Sequence, residues 1–380
     1  MQSNMKRFTY IFGISMALIM GLSVILPALS TNVSPIQQIP PTTAPEPTPI
    51  PPPDINAISF TETYLHPSGI FTVAQPTGWL PAAPSNTLDN VQATLSNSTA
   101  QSIIQVEVTR PDVETEAPLT LDEVDAQFTS SALASSWARY TSWTETGRRR
   151  ENDELILDFT LTSGSQTFVA RQKSWTDGDL IRSVRVVTPE NATEALLYVL
   201  DEVAASLQVV PEFTSTPLDW TAHYDAVNGN IIRFPSDWTV ADTAPGQPTS
   251  ITDSTGNITL RMETSAETVA DEAAAEAFVA AQRPGATILN VAPVTREGAE
   301  GYAVAYDFTT VDGDAQSGVA VLLTGADEQL HVANLRFPGA GIDLTTETAE
   351  GENAILAAVV DTFYVLPGLV SSEIPENTTE

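Results

Sequence analysis

The chain has 380 residues, 42% of them hydrophobic, and sets 16 Lys and Arg against 48 Asp and Glu for a formal charge of −32. That length is ample for two cores, and apolar residues alternate through most of it, so the acidity belongs to a folded body. Nucleic acid and bare anionic lipid are excluded as partners, since both are held by surplus Lys and Arg, and the lack of any cysteine excludes disulfides, thiolate metal sites, a cysteine nucleophile and a lipidated cysteine.

Taken from the start, Lys6-Arg7, the uncharged apolar run from Phe8 to Leu26 and the small residues Ala28 and Ser30 read as an export signal over 1–30. Cleavage after Ser30 and retention as an N-terminal membrane anchor both stand, because the run also approaches the length that spans a bilayer. Either outcome places the body outside the cytoplasm, secreted or anchored. Residues 31–56 are a Pro/Thr-rich linker containing Pro40-Pro41 and Pro51-Pro52-Pro53. Polyproline geometry rises about 3.1 Å per residue, so this linker reaches up to ~80 Å.

Beyond it the sequence repeats. Gly69 to Val73 followed by Pro76-Thr77-Gly78-Trp79 corresponds to Gly229 to Phe234 followed by Pro235-Ser236-Asp237-Trp238. Asp158-Phe159-Thr160 corresponds to Asp307-Phe308-Thr309, and Ser206 to Pro211 to Thr362 to Pro367. The order of these matches implies duplication, with repeat 1 over 57–213, repeat 2 over 214–367 and a disordered acidic tail over 368–380.

Each repeat opens with short strands and then a helix. In the first, Thr120 to Glu123 is a capping box and Leu121, Val124 and Phe128 share a face. In the second, Thr268 and Asp271 open a helix that stops at Arg283-Pro284-Gly285. A strand meander follows, turning at Ser163-Gly164 and at Asp177-Gly178-Asp179 in one copy and at Asp312-Gly313-Asp314 in the other. A second capping box at Asn191 to Glu194 opens a helix with Leu196, Val199, Leu200 and Val203 on one face. The fold class expected is α+β: two tandem domains, each an antiparallel β-sheet packed with helices.

This order of aromatic, glycine, strand, Pro-x-x-Trp, mid helix, meander, terminal helix and closing strand resembles the PsbP-like and DcrB-like superfamily, which also holds the Mog proteins. The resemblance implies two tandem copies of an α/β/α sandwich and a non-enzymatic role in assembling or stabilising larger complexes. It brings no catalytic residue with it.

Candidate chemistry is sparse. His66, His223 and His331 are the only histidines and have no metal-ligand spacing; they read as structural or surface residues. The two Asp-Gly-Asp turns lack the full oxygen series of a calcium loop. No Gly-x-Ser-x-Gly elbow, phosphate loop or dinucleotide fingerprint occurs in the mature chain, and paired carboxylates are too abundant to signal anything. Trp79 and Trp238 read as core anchors, and Arg148-Arg149-Arg150 as a solvated loop feeding the Leu155 strand, with docking to an anionic surface as the alternative.

The reading is therefore a non-enzymatic extracytoplasmic binding or scaffold protein of the cell envelope. It has no catalytic, cofactor-binding or metal residues, no cofactor, and an unknown protein partner at the outer face of the membrane. The alternative is an extracytoplasmic hydrolase with an inter-domain site.

Overall fold

The computed structural model describes residues 54–111, 117–346 and 350–370. The expected leader, the linker up to residue 53 and the tail from residue 371 lie outside the described residues. Within them no helix is long and apolar enough to cross a membrane, which says nothing of a crossing made by strands.

Eleven strands form the first half: β1 Glu62–Leu65, β2 Phe71–Gln75, β3 Leu80–Pro81, β4 Ser85–Asn86, β5 Asn90–Asn97, β6 Ser102–Thr109, β7 Ser142–Glu151, β8 Glu154–Ser163, β9 Gln166–Thr176, β10 Ile181–Pro189 and β11 Gln208–Val209. Helices α1 Leu121–Gln127 and α2 Ser130–Ser136 lie between β6 and β7, and α3 Thr193–Ser206 precedes β11. The second half has β12 Thr221–Asp225, β13 Asn230–Phe234, β14 Thr239–Val240, β15 Thr249–Thr252, β16 Thr259–Ser265, helix α4 Glu272–Gln282, β17 Thr287–Arg296, β18 Ala299–Thr309, β19 Ala315–Gly325, β20 Leu330–Pro338, helix α5 Glu352–Asp361 and β21 Tyr364–Val365.

All pairings are antiparallel, in four sheets. The large sheets run β3-β5-β6-β10-β9-β8-β7, with β4 also on β5, and β14-β15-β16-β20-β19-β18-β17; the small ones run β1-β2-β11 and β12-β13-β21. Position for position, the strand order of the second half is that of the first.

The α+β expectation is overturned, because strands take 44% of the described residues and helices 19%, in four antiparallel sheets. Cap signals say where a helix starts and nothing about its length. The Thr120 box forms, with Thr120 N donating to Glu123 Oε2 at 2.7 Å, but α1 ends at Phe128 because Thr129 caps a new seven-residue helix. The Asn191 box does not cap α3, which starts at Thr193 after a 3-10 turn over 190–192. Strands meanwhile run to ten or eleven residues in β7, β8, β9, β17, β18 and β19.

The basic cluster is also corrected. Arg148, Arg149 and Arg150 sit in the edge strand β7, where side chains alternate between faces. Arg148 reaches Glu145 at 2.7 Å and also Asp125 of α1; Arg150 meets Asp122 and Asp125; Arg149 lies 2.5 Å from Asp158. Local acids neutralise all three: Arg148 and Arg150 fasten α1 to the sheet edge, Arg149 ties β7 to β8, and none of them presents a free basic patch.

The two halves share a core. Phe71, Val106, Val184 and Leu200 of the first half cluster with Phe213, Leu218 and Ile231, and Tyr364 and Leu366 of the second half pack against the same group. Trp79 is 4% exposed and anchors this cluster, while Trp238 is only partly buried and stacks on Phe234.

Candidate functional site

Polar side chains that could carry chemistry gather at the seam between the halves and on the sheet faces. At the seam, His66 and Ser68 form the tight corner between β1 and β2, with His66 Nδ1 2.8 Å from Ser68 Oγ. The pair has the look of a nucleophile and base, but its bonds are all structural. Ser68 N donates to Nδ1 at 3.1 Å, which puts the ring proton on Nε2, facing the Gln92 carbonyl at 3.2 Å, while Ser68 Oγ accepts from Ile70 N at 3.3 Å. Both residues are fully buried, and the ring stacks on Phe71.

Burial pushes the His66 imidazole down to about 3, and the charge of Arg233 acts in the same direction against the hydrogen bond to Gln92. In the unfolded chain the group titrates near 6.5, so below that pH the unfolded state binds the proton and the folded state refuses it until about 3. Stability from this residue is thus whole above pH 6.5 and lost as pH falls through that window, at about 1.4 kcal/mol per unit. Urea unfolding at pH 7.5 and pH 5 should show wild type losing about 2 kcal/mol more than His66→Asn; equal losses would show that His66 is not held neutral.

Arg233 of β13 fills the other side of the seam. Its Nε donates to the Ser68 carbonyl at 2.6 Å and its Nη2 to the Pro217 carbonyl at 2.7 Å, and Nη1 donates to Thr216 Oγ1. Burial pushes it down to about 9, countered by Asp219. Nearby, Glu212 is raised by burial and by its hydrogen bond to Glu297. Carboxyls bonded to each other stand closer than the roughly 5 Å a retaining glycosidase needs. A groove of about 550 Å³ runs beside them, lined by Thr63, Thr72, Gln208, Glu297, Gly298 and Pro367 among others. No histidine or free nucleophile–base pair opens into it.

The other histidines are likewise placed by structure. His331 is buried, with Nδ1 2.6 Å from Asn230 Oδ1 and Nε2 3.1 Å from Asp327 Oδ1. His223 is half-buried on β12, and burial lowers its pKa against the nearby Asp225. Asp177 folds back to accept from Asp179 N and Leu180 N and pairs with Arg182, as a hairpin turn does. Among the described residues no three His, Cys, Asp or Glu come together in a way that could hold a metal ion.

The sheet faces offer something the sequence reading missed. In the second half a groove of about 450 Å³ lies between α5 and the large sheet. Its floor is Ala292 and Val294 of β17, Ala303 of β18 and Val319 and Val321 of β19; its wall is Ala354, Ala357 and Ala358 of α5, with Leu344 beside them. Arg296 and Asp361, 3.1 Å apart, close one end.

Register shows why this groove is apolar. Asp158 pairs with Arg171 and Asp307 with Ser317, which places Glu154 on Ala303 and Lys173 on Val319. Ser206 accepts from Ala74 N and Thr362 from Arg233 N, which places Asp201 on Ala357. In the first half these three residues are an ion cluster filling the space beneath α3: Lys173 Nζ lies 3.2 Å from Glu154 and 3.0 Å from Asp201. Burial opposes the ammonium charge, yet the two carboxylates outweigh it and raise the Lys173 pKa. In the second half a valine and two alanines replace all three, and Ala354 replaces Tyr198, which packs edge-on against Phe60. The shorter side chains leave the groove open. Its floor and helix wall are methyl-rich while Thr295, Thr345, Thr346, Arg296 and Asp361 make a polar rim, a lining that suits a guest with an apolar face.

Comparison with known proteins is sparse. No family model and no curated protein matches the chain. Among solved structures, cyanobacterial PsbP (CyanoP) from Synechocystis sp. PCC 6803 is 15% identical, with a TM-score of 0.30, covering 40% of this chain and 95% of its own. A protein of Bacteroides thetaiotaomicron VPI-5482 is 9% identical with a TM-score of 0.27 over 43% of this chain and 53% of its own. The type VI secretion immunity protein TplEi of Pseudomonas aeruginosa is 12% identical with a TM-score of 0.24 over 80% of this chain and 97% of its own. The PsbP-like resemblance thus has a structural neighbour of that name over part of the chain, at a score too low to assign a fold or an activity.

Proposed function

We propose that this chain is a non-enzymatic binding or scaffold protein of the cell envelope, acting outside the cytoplasm, and that its second half receives an apolar side-chain cluster of a partner protein in the groove beneath α5. The carrying observation is the exchange of Glu154, Lys173 and Asp201 in the first half for Ala303, Val319 and Ala357 at the matching places of the second. One half closes the space with charge; the other leaves it open, with a methyl-lined floor inside a polar rim. An open methyl-lined groove on a soluble surface stabilises nothing by itself and gains about 25 cal/mol per Å² when a partner covers it. Export is supported by Lys6-Arg7 and the apolar run behind them.

The test is to put the charges back. The triple variant Ala303→Glu, Val319→Lys, Ala357→Asp should bind the neutral apolar dye Nile red at least about tenfold more weakly than wild type, a difference of about 1.4 kcal/mol. Ala358→Phe, which fills the groove from the helix, should do the same if the triple variant fails to fold. A photoreactive residue in place of Ala354 should crosslink a single protein in the native envelope, and Ala358→Phe should abolish that crosslink. Unchanged dye binding in both variants, or a crosslink indifferent to filling, would remove the groove from consideration. Turnover of an ester or glycoside by the purified protein, lost on substitution of a seam residue, would favour the hydrolase reading instead.

A further inference from the structure

The opposite face of the same sheet carries an arrangement that the groove does not explain. Tyr306 of β18 is fully buried, yet it spans two strands: a Cβ on Gly318 of β19 would lie 2.5 Å from the Tyr306 Cζ, so only glycine lets the ring cross. The hydroxyl thereby reaches Asn334 Oδ1 on β20 at 2.7 Å. Arginines surround it. Arg336 follows Asn334 on the same face of β20 and pairs in register with Gly318. Arg261 of β16 pairs in register with Asn334, which makes it a diagonal neighbour of Arg336. Arg283, at the end of α4, lies over the Phe308 ring at 4.6 Å.

Only Arg261 has an acid, Glu263 at 2.7 Å; among the described residues Arg283 and Arg336 have no carboxylate within ion-pairing distance. Arg110, Arg139, Arg185 and Arg233 also lack a carboxylate partner, but they donate to the Thr214 carbonyl, Tyr140 Oη, Gln172 Oε1 and the Ser68 carbonyl, whereas Arg283 and Arg336 stand beside each other and Arg261 on one face. Arg336 is half-buried besides, and burial together with the charges of Arg283 and Arg261 lowers its pKa against the effect of Tyr306. Like charges held together without a counter-charge are destabilising unless an anion joins them.

We propose that Arg283, Arg336 and Arg261, with Asn334, form a receptor for one oxyanion, a carboxylate or phosphate group. Guanidinium forks suit both groups, and the Asn334 amide, whose oxygen is engaged by Tyr306, has its N–H₂ left to donate. The acidic body does not forbid this, since at about 0.15 M salt the Debye length is roughly 8 Å and distant carboxylates are screened. The site is independent of the groove beneath α5 and stands if that groove proves empty.

The full soluble body should be titrated at low salt with inorganic phosphate and, separately, with a glutamate-rich decapeptide, following binding by calorimetry. Saturable binding of either supports the site: phosphate alone points to a phosphate source, the peptide alone to carboxylates of a protein. Arg336→Gln should weaken the binding at least tenfold, whereas Arg171→Gln, which removes an arginine already paired, should leave it within twofold. Arg283→Gln, at the half-exposed end of α4, should also weaken it and serves if Arg336→Gln does not fold. No saturation with either probe, or equal affinity in all the variants, would overturn the proposal.

Discussion

Replacing Arg233 by methionine will destabilise the protein by about 3–5 kcal/mol, although the substitution keeps the bulk of the side chain. The guanidinium is fully buried, and it is the common donor for carbonyls from two stretches of chain, Ser68 on one side of the seam and Pro217 on the other. Methionine fills the space but leaves the Ser68 carbonyl and the Thr216 hydroxyl without a donor, each at about 1–3 kcal/mol, and the Pro217 carbonyl with only the long 3.4 Å bond from Trp220 N. The guanidinium also faces the Phe213 ring at 5.7 Å, a contact that methionine keeps only in part. Lysine at this position should recover less than half of the loss, because an ammonium cannot fork to three acceptors fixed by the backbone. Guanidinium chloride unfolding followed by circular dichroism checks this. A loss below about 1 kcal/mol would mean that the seam is held by its apolar contacts alone.

Trp137→Ala should be comparably severe, at about 3–5 kcal/mol. Trp137 ends α2 with no exposed surface, its ring 5.0 Å from Phe159 and 5.8 Å from Tyr140, inside the cluster that also holds Val124, Phe128 and Leu133. Truncation removes the aromatic surface and leaves a cavity that two seven-residue helices have little means to collapse. A second penalty adds to the first. The Arg185 guanidinium lies over the indole at 4.4 Å and binds Gln172 Oε1 through Nε at 2.8 Å. Burial pushes Arg185 down to about 10 against the attraction of Glu107, so losing the ring removes one of its few compensations. Trp137→Phe should restore roughly half the loss. A Trp137→Ala protein that melts within 2 °C of wild type would show that this layer contributes little.

The features legible in the sequence are those carried by local signals. Pro76 to Trp79 and Pro235 to Trp238 mark the turn after the first strands in each half, and the two Asp-Phe-Thr segments fall on matching strands, β8 and β18. The hairpin turns sit where Asp177-Gly178 and Asp312-Gly313 put them. What failed depended on long range. β7 carries Arg148 to Arg150 and has little apolar alternation, because as an edge strand it satisfies its charges with α1 in place of a core; read alone it is a loop. The balance of sheet over helix was hidden for the same reason, since capping boxes announce a helix of any length.

The groove could have been found from one signal, the mismatch of Glu154 and Lys173 against Ala303 and Val319 once the Asp-Phe-Thr segments are aligned, but its meaning needs strand register. Arg233 was likewise in view as the one charged residue in the apolar stretch from Ile231 to Phe234. Nothing local says that Ser68, far away in sequence, supplies its acceptor.

The shared cluster around Phe213, Leu218 and Ile231 makes the unit that repeats in strand order smaller than the unit that folds. Neither half could be lent to another gene as a ready-made module, because the cut would lay bare on each side a wall of side chains shaped by the other.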